Sequence, residues 1–200
     1  MNDRFIGNAF ILFGFFRGKY LMLTRPSTEY VLLGTLMSGP RHGYEIMQFL
    51  DTAFESTWHV GTSQLYALFK RLEMEGLVIS SLKEQEDRPA KRVFSLTKAG
   101  EKSFLVWLNC PTGNVRDLRV EFLAKLFFFK DLGLKEGDEL ITSQLQMLKK
   151  NKDRLRQRYE NEADSYNRLV LEFKMSTVEA WIDWLDVSAR PFILDIGDNH

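Results

Sequence analysis

The sequence predicts a mainly α fold: a winged helix-turn-helix of three helices and a two-stranded β wing, then an all-helical C-terminal domain. Three observations predict it. Apolar residues recur at helical spacing in three short segments between residues 27 and 75. Two runs rich in β-formers, at 77–82 and 92–96, flank a polar stretch containing Pro89, and another helical segment follows. Beyond residue 115 only helical patterns occur. Three short helices, a hairpin and a helix, in that order, are the winged helix-turn-helix arrangement.

Each element has its own local reason. Ser27 or Thr28 is expected to cap a first helix carrying Tyr30, Val31, Leu33, Leu36 and Met37. Gly39-Pro40 ends it, because proline cannot continue a helix and glycine tolerates the turn. A second helix covers about 43–53, with Tyr44, Ile46, Met47 and Leu50 at helical spacing. The third is expected over 62–75, capped by Thr62 or Ser63, with Leu65, Leu68, Phe69 and Leu72 in one buried stripe. Ser63, Gln64, Tyr66, Ala67, Lys70 and Arg71 fall away from that stripe, and Gly76 supplies the left-handed residue that closes the helix. The polar residues 84–91 form the tip of the wing, and Thr97 caps a fourth helix with Phe104, Leu105 and Leu108.

Residues 109–114, with Pro111 and Gly113, mark the domain boundary. This divides the chain into an extension at 1–26, a winged-helix domain at 27–110 and a helical domain at 115–196. A helix is expected over 115–132 with Leu118, Phe122, Leu123, Leu126 and Phe127 on one side. A heptad-like run follows through Ile141, Leu145, Leu148, Lys152, Leu155, Tyr159, Glu162, Tyr166, Leu169 and Phe173, read as one long helix. A last helix is expected over 178–189.

Composition narrows the function. Lys+Arg and Asp+Glu both number 27, so the chain lacks the positive excess of a nonspecific nucleic-acid coat protein. A sequence-specific binder needs only local clustering, and five cations against one acid lie between Arg88 and Lys102. The single Cys110 excludes an internal disulfide and suits a reducing, cytoplasmic setting. His42, His59 and His200 are scattered, which gives no metal-ligand spacing, and no nucleophile elbow or phosphate loop occurs; no cofactor and no catalysis are expected. The apolar stretch 5–16 is shorter than the ~20 residues a membrane-spanning helix takes. A start of translation at Met22 and a translated arm are both open readings of the extension.

The chemistry points to duplex DNA. The second helix of a helix-turn-helix enters the major groove and presents its N-terminal residues to base edges. Thr62, Ser63 and Gln64 at the start of the third helix are hydrogen-bonding types suited to base edges, glutamine to adenine above all. Lys70 reaches phosphate one turn on, and Arg88, Lys91 and Arg92 at the wing tip suit phosphate or the minor groove.

Four blocks then carry a resemblance: Tyr30-Val31-Leu32-Leu33-Gly34-Thr35-Leu36; Gly39-Pro40-Arg41-His42-Gly43-Tyr44-Glu45-Ile46; Leu65-Tyr66 with Lys70-Arg71-Leu72-Glu73-Met74-Glu75-Gly76-Leu77-Val78; and Phe94-Ser95-Leu96-Thr97-Lys98-Ala99-Gly100. In order and spacing they resemble the PadR family. The C-terminal length resembles its longer subfamily, named for control of phenolic acid decarboxylase. The resemblance implies a bacterial regulator, mostly a repressor, with an N-terminal winged helix and a C-terminal dimerisation region. It implies DNA-facing roles for Tyr44, Ser63, Gln64, Tyr66 and Lys70, with Lys91 and Arg92 in the wing. Ala67 stands where many members have proline, and Ser63-Gln64 replaces a common Gly-Thr, departures that bear on the operator sequence.

The expected function is therefore a sequence-specific repressor released by a small aromatic or phenolic effector. The alternative is a winged-helix protein-interaction module. A homodimer reads two half-sites of a palindromic operator ~34 Å apart. Leu148, Leu155, Tyr159, Trp181 and Leu185 are the expected dimerisation residues. The basic run Lys149, Lys150, Lys152, Arg154, Arg156 and Arg158 reads as a solvated helix face. Phe127, Phe128, Phe129, Trp107, Trp181 and Trp184 read as core and do not locate an effector pocket.

Overall fold

The computed structural model describes residues 25–54, 58, 60–85 and 88–198. The readings of residues 1–24, including the start at Met22, lie outside the described residues. The N-terminal half runs α1 (Ser27–Thr35), β1 (Arg41–His42), α2 (Gly43–Phe54), α3 (Thr62–Met74), β2 (Val78–Gln85), β3 (Arg88–Leu96) and α4 (Lys98–Asn109). The C-terminal half is helical: a 3-10 turn (Val115–Asp117), a π turn (Leu118–Phe122), α5 (Leu123–Asp131), α6 (Gly137–Glu160), α7 (Ser165–Trp184), a second π turn (Leu185–Ala189) and α8 (Arg190–Asp198).

The winged helix-turn-helix is present, with one correction. The sheet has three strands, in the order β1-β3-β2, rather than two. Arg41 and His42 pair antiparallel with Phe94 and Val93. A two-residue strand is too short to show alternation, so the sequence carries no signal for it. The wing proper pairs Val78 with Leu96 through to Gln85 with Arg88, and is irregular between Lys83 and Gln85.

Local chemistry explains the joints. Gly76 takes a φ of 70°; its N–H donates to Glu73 O, and the Leu77 N–H donates to Leu72 O, both at 2.9 Å. This pair of bonds closes α3 in a Schellman motif. Thr97 caps α4 as expected, accepting from the Gly100 N–H at 3.1 Å, while its hydroxyl donates to Gly76 O at 2.7 Å. One threonine thus ties the end of α3 to the start of α4. The expected caps of α1 and α3 are corrected: the N-cap residues are Pro26 and Gly61, with no side-chain cap bond in either case.

Helix α1 runs through the centre of the molecule. From Glu29 to Thr35 every residue is buried, so it has no solvent face. A Cβ on Gly34 would stand 2.4 Å from the Phe128 ring and 2.7 Å from the Phe104 ring, so only glycine permits this approach. One continuous core links the halves. The Phe127 ring lies 4.8 Å from Phe54 and 5.8 Å from Phe49, both on α2, and Tyr30 stacks on Trp107 at 5.3 Å. The stretch 110–114, read from sequence as a boundary, is itself packed. Thr112 is buried, and the Gln144 side chain pairs with both its N–H and its carbonyl, at 2.6 and 3.2 Å.

In the C-terminal half one expectation holds and two are corrected. The helix expected over 115–132 is present as an unbroken helical stretch ending at Asp131, which opens with a 3-10 turn and a π turn before α5. The heptad-like run is not one helix: α6 ends at Glu160, and α7 restarts at Ser165 under an Asp164 cap that accepts from the Asn167 N–H at 2.8 Å. The last helical stretch is continuous with α7 through the second π turn and extends to Asp198, rather than spanning 178–189.

Candidate DNA interface

The residues expected to read DNA sit on α2, α3 and the wing. Helix α3 buries Leu65, Phe69 and Leu72, with Leu68 partly buried, and turns Ser63, Gln64, Tyr66, Ala67, Lys70 and Arg71 outward. Thr62, Ser63 and Gln64 are exposed at its N-terminus. The first turn carries no acidic residue, which leaves its free N–H groups and positive dipole end open to phosphate. The Thr62 hydroxyl lies 3.5 Å from Met47 Sδ, which links this turn to α2.

Tyr44 is 77% exposed at the start of α2, an unusual setting for an aromatic ring. Tyr66 is 40% exposed. Its ring stands 6.1 Å from Phe94, and its hydroxyl would lie 2.6 Å from a Cβ on Gly43. The packing role and the outward role of Tyr66 therefore coexist: one edge anchors the ring while the rest faces outward. Lys70 is exposed on the same face. In the wing, Lys91 and Arg92 are exposed on β3, opposite Lys83 and Leu82. Arg88 begins β3 by its backbone, and its side chain lies outside the described residues.

Arg71 differs from its neighbours on α3. It turns to the buried carboxylate of Glu29 on α1. Nothing local in the sequence pairs these two positions.

The five expected dimerisation residues do not form one surface. Leu148, Leu155 and Leu185 are buried within the protomer, which removes them from any contact face. Tyr159 and Trp181 are partly buried: the Arg168 guanidinium covers the Tyr159 ring at 4.6 Å, and Trp181 meets Trp184 edge-on at 5.4 Å. The correction follows from the broken helix. The first part of the heptad-like run is the inner stripe of α6, and Lys152 within it pairs with Glu179 of α7. The second part, Tyr166, Leu169 and Phe173, is the outer stripe of α7 and is exposed. The other cations of the basic run, Lys149, Lys150, Arg154, Arg156 and Arg158, are exposed as expected.

A second polar feature joins the halves. Lys125 Nζ is fully buried and donates to Cys110 O and Glu121 Oε1, both at 2.7 Å, with Thr112 Oγ1 at 3.4 Å and the Trp107 ring 4.9 Å away. Glu121 also accepts from Ser27 at 2.6 Å and Thr112 at 3.0 Å. Burial raises the Glu121 pKa, but the Lys125 charge and the three hydrogen bonds outweigh it and leave the carboxyl below its usual range. Burial lowers the Lys125 ammonium, with Glu121 opposing. Burial likewise pushes the Cys110 thiol up, against Lys125, which is the reverse of what activates a redox cysteine.

Comparison with known proteins places these features. Residues 32–105 match the model of the transcriptional regulator PadR-like family, and residues 118–190 match that of the virulence activator alpha C-terminal region. A relative, the negative transcriptional regulator PadR of Bacillus subtilis (strain 168), is 25% identical over 169 residues, covering 79% of this chain and 93% of the relative. Among solved structures, Bacillus subtilis PadR in complex with operator DNA is similar, at 25% identity and TM-score 0.43, covering 80% of this chain and 94% of that one. The same protein in complex with p-coumaric acid is similar at 25% identity and TM-score 0.39, covering 84% and 99%. The blocks from Leu32 to Gly100 fall in the matched region, and residues 32–105 are thus similar to the transcriptional regulators of the PadR-like family.

Proposed function

We propose that this protein is a sequence-specific repressor that binds a palindromic operator as a homodimer in the cytoplasm and leaves it on binding a small aromatic acid. The observation that carries the reading is the outward face of α3. Thr62, Ser63, Gln64, Tyr66 and Lys70 lie together, unpaired with any acid among the described residues, on a helix whose other face is locked into the core. Tyr44 flanks that face from α2. Lys91 and Arg92, exposed on the wing, supply cations for phosphate, and Arg88 is proposed to act with them. In this reading residues 27–110 read DNA and residues 115–196 assemble the dimer.

The regulatory direction follows the named relative, a negative regulator, and the effector class follows the p-coumaric acid bound by Bacillus subtilis PadR. The dimer surface is reassigned to α7 and the π turn that follows it. Tyr166, Val170, Phe173, Thr177, Ala180, Trp184 and Val187 recur at alternating four- and three-residue spacing, and none of them is buried. This is the pattern of a helix that expects another helix, and a second copy of the chain supplies it. Burying rings such as Tyr166 and Phe173 against a partner contributes ~1.5–3 kcal/mol each.

The test is a labelled duplex from the region upstream of the protein's own gene, titrated with the protein and then with p-coumaric acid. The expected result is tight binding to this duplex, none of similar strength to a shuffled one, and release by the acid. Equal binding to both duplexes removes the operator reading. Binding that millimolar acid leaves unchanged removes the effector reading alone.

A further inference from the structure

Four charged side chains join the start of α1 to the far end of α3. Arg25 Nη1 donates to Glu29 Oε2 at 2.6 Å, and its other terminal nitrogen contacts Glu75, the residue after α3. Arg71, in the last turn of α3, meets the other oxygen of Glu29. Glu29 is only 1% exposed, whereas Arg71 is half exposed. Desolvation strongly disfavours a carboxylate buried to this degree unless cations meet it. It therefore holds its two arginines tightly, and one of them belongs to the helix whose other end faces DNA.

We propose that Glu29 is a positioning residue for DNA recognition, fixing through Arg71 the direction in which α3 presents Ser63 and Gln64. The proposal rests on α3 being the reading helix. Its lever is simple. From Arg71 to Ser63 is about 12 Å along a helix that rises 1.5 Å per residue, so a tilt of about 10° moves Ser63 by about 2 Å. That displacement exceeds the tolerance of a hydrogen bond to a base edge. The same first turn of α1 is held from the opposite side, where Ser27 donates to Glu121 at 2.6 Å. Glu29 thus fixes α3 against a turn that is itself anchored in the C-terminal half. Arg71 is accordingly not one of the phosphate-contacting cations, although it lies on the exposed side of the helix.

The experiment measures affinity for the upstream duplex and for a shuffled duplex by fluorescence anisotropy, over a range of salt, for wild type, Glu29→Gln, Arg71→Gln and the double variant. The expected result is about a 10-fold loss on the upstream duplex in each single variant, the size of one good base contact. Affinity for shuffled DNA and the salt slope stay at wild-type values, since no phosphate contact is lost. The double variant loses no more than either single one. Should Glu29→Gln fail to fold, Arg71→Gln, at a half-exposed position, carries the test by its salt slope. A slope reduced by about one, with equal losses on both duplexes, assigns Arg71 to phosphate and overturns the proposal. Undiminished binding of the upstream duplex by Glu29→Gln or Arg71→Gln overturns it as well. A wild-type chain with no preference between the duplexes instead fails the underlying reading of α3, and the proposal with it.

Discussion

Replacing Lys125 by methionine tests how the two halves are joined. The methionine fills the volume of the lysine stem but removes the ammonium that bonds Cys110 O and Glu121 Oε1, each at 2.7 Å. Removing one partner of a buried ion pair costs ~3–5 kcal/mol, because the other charge stays buried without it. Glu121 keeps hydrogen bonds from Ser27 and Thr112 and is less deeply buried than Lys125, which places the loss near the lower end, at about 3 kcal/mol. The contact over Trp107 adds a further ~1 kcal/mol. Urea unfolding followed by tryptophan fluorescence measures the change as a lower midpoint at unchanged slope. The double variant Lys125→Met, Glu121→Gln then loses less than the sum of the single changes, since no charge is left stranded. A loss under about 1 kcal/mol for Lys125→Met, or strict additivity, refutes the coupled joint.

Three other outcomes follow from the same geometry. Glu121 has a lowered pKa in the folded state, so its contribution is present above the unfolded carboxyl value and is lost as pH falls from there through the lower folded one; Glu121→Gln flattens that acid limb in a stability-versus-pH series. Phe173, 72% exposed on α7, faces the second copy in the proposed dimer; Phe173→Asp yields monomers by light scattering at micromolar concentration with unchanged helix content, whereas persistent dimers exclude this face. Gly43→Ala pushes its new Cβ toward the Tyr66 hydroxyl, 2.6 Å away, and the ring can swing aside; thermal stability changes by less than about 1 kcal/mol, while operator affinity in a gel shift falls several-fold.

Much of the N-terminal half is legible in the sequence because its signals are local. The stripe Leu65, Phe69 and Leu72, the Gly76 close and the Thr97 cap each follow from residues within a few positions of one another. The same holds for the outward face from Thr62 to Lys70. What escapes the sequence is non-local or keeps the wrong phase. Thr112 and Gln144 pair across 32 residues, and Ser27 meets Glu121 across 94. The break at 161–164 passes unnoticed because Tyr159, Glu162 and Tyr166 keep a three-four spacing across it, so the inner stripe of α6 appears to continue into the outer stripe of α7. Lys125 does leave a trace: it stands three residues after Phe122 and four before Phe129, a cation on a buried stripe, which calls for a partner.

The central claim is that the N-terminal end of α3 reads base edges. Its most direct test is the affinity ratio between the upstream duplex and a shuffled duplex, measured by anisotropy at one salt concentration for wild type and Gln64→Ala. The expected ratio is high for wild type and falls about 10-fold or more in Gln64→Ala, with affinity for shuffled DNA unchanged, as for a lost base contact. A ratio that Gln64→Ala leaves at the wild-type value contradicts it.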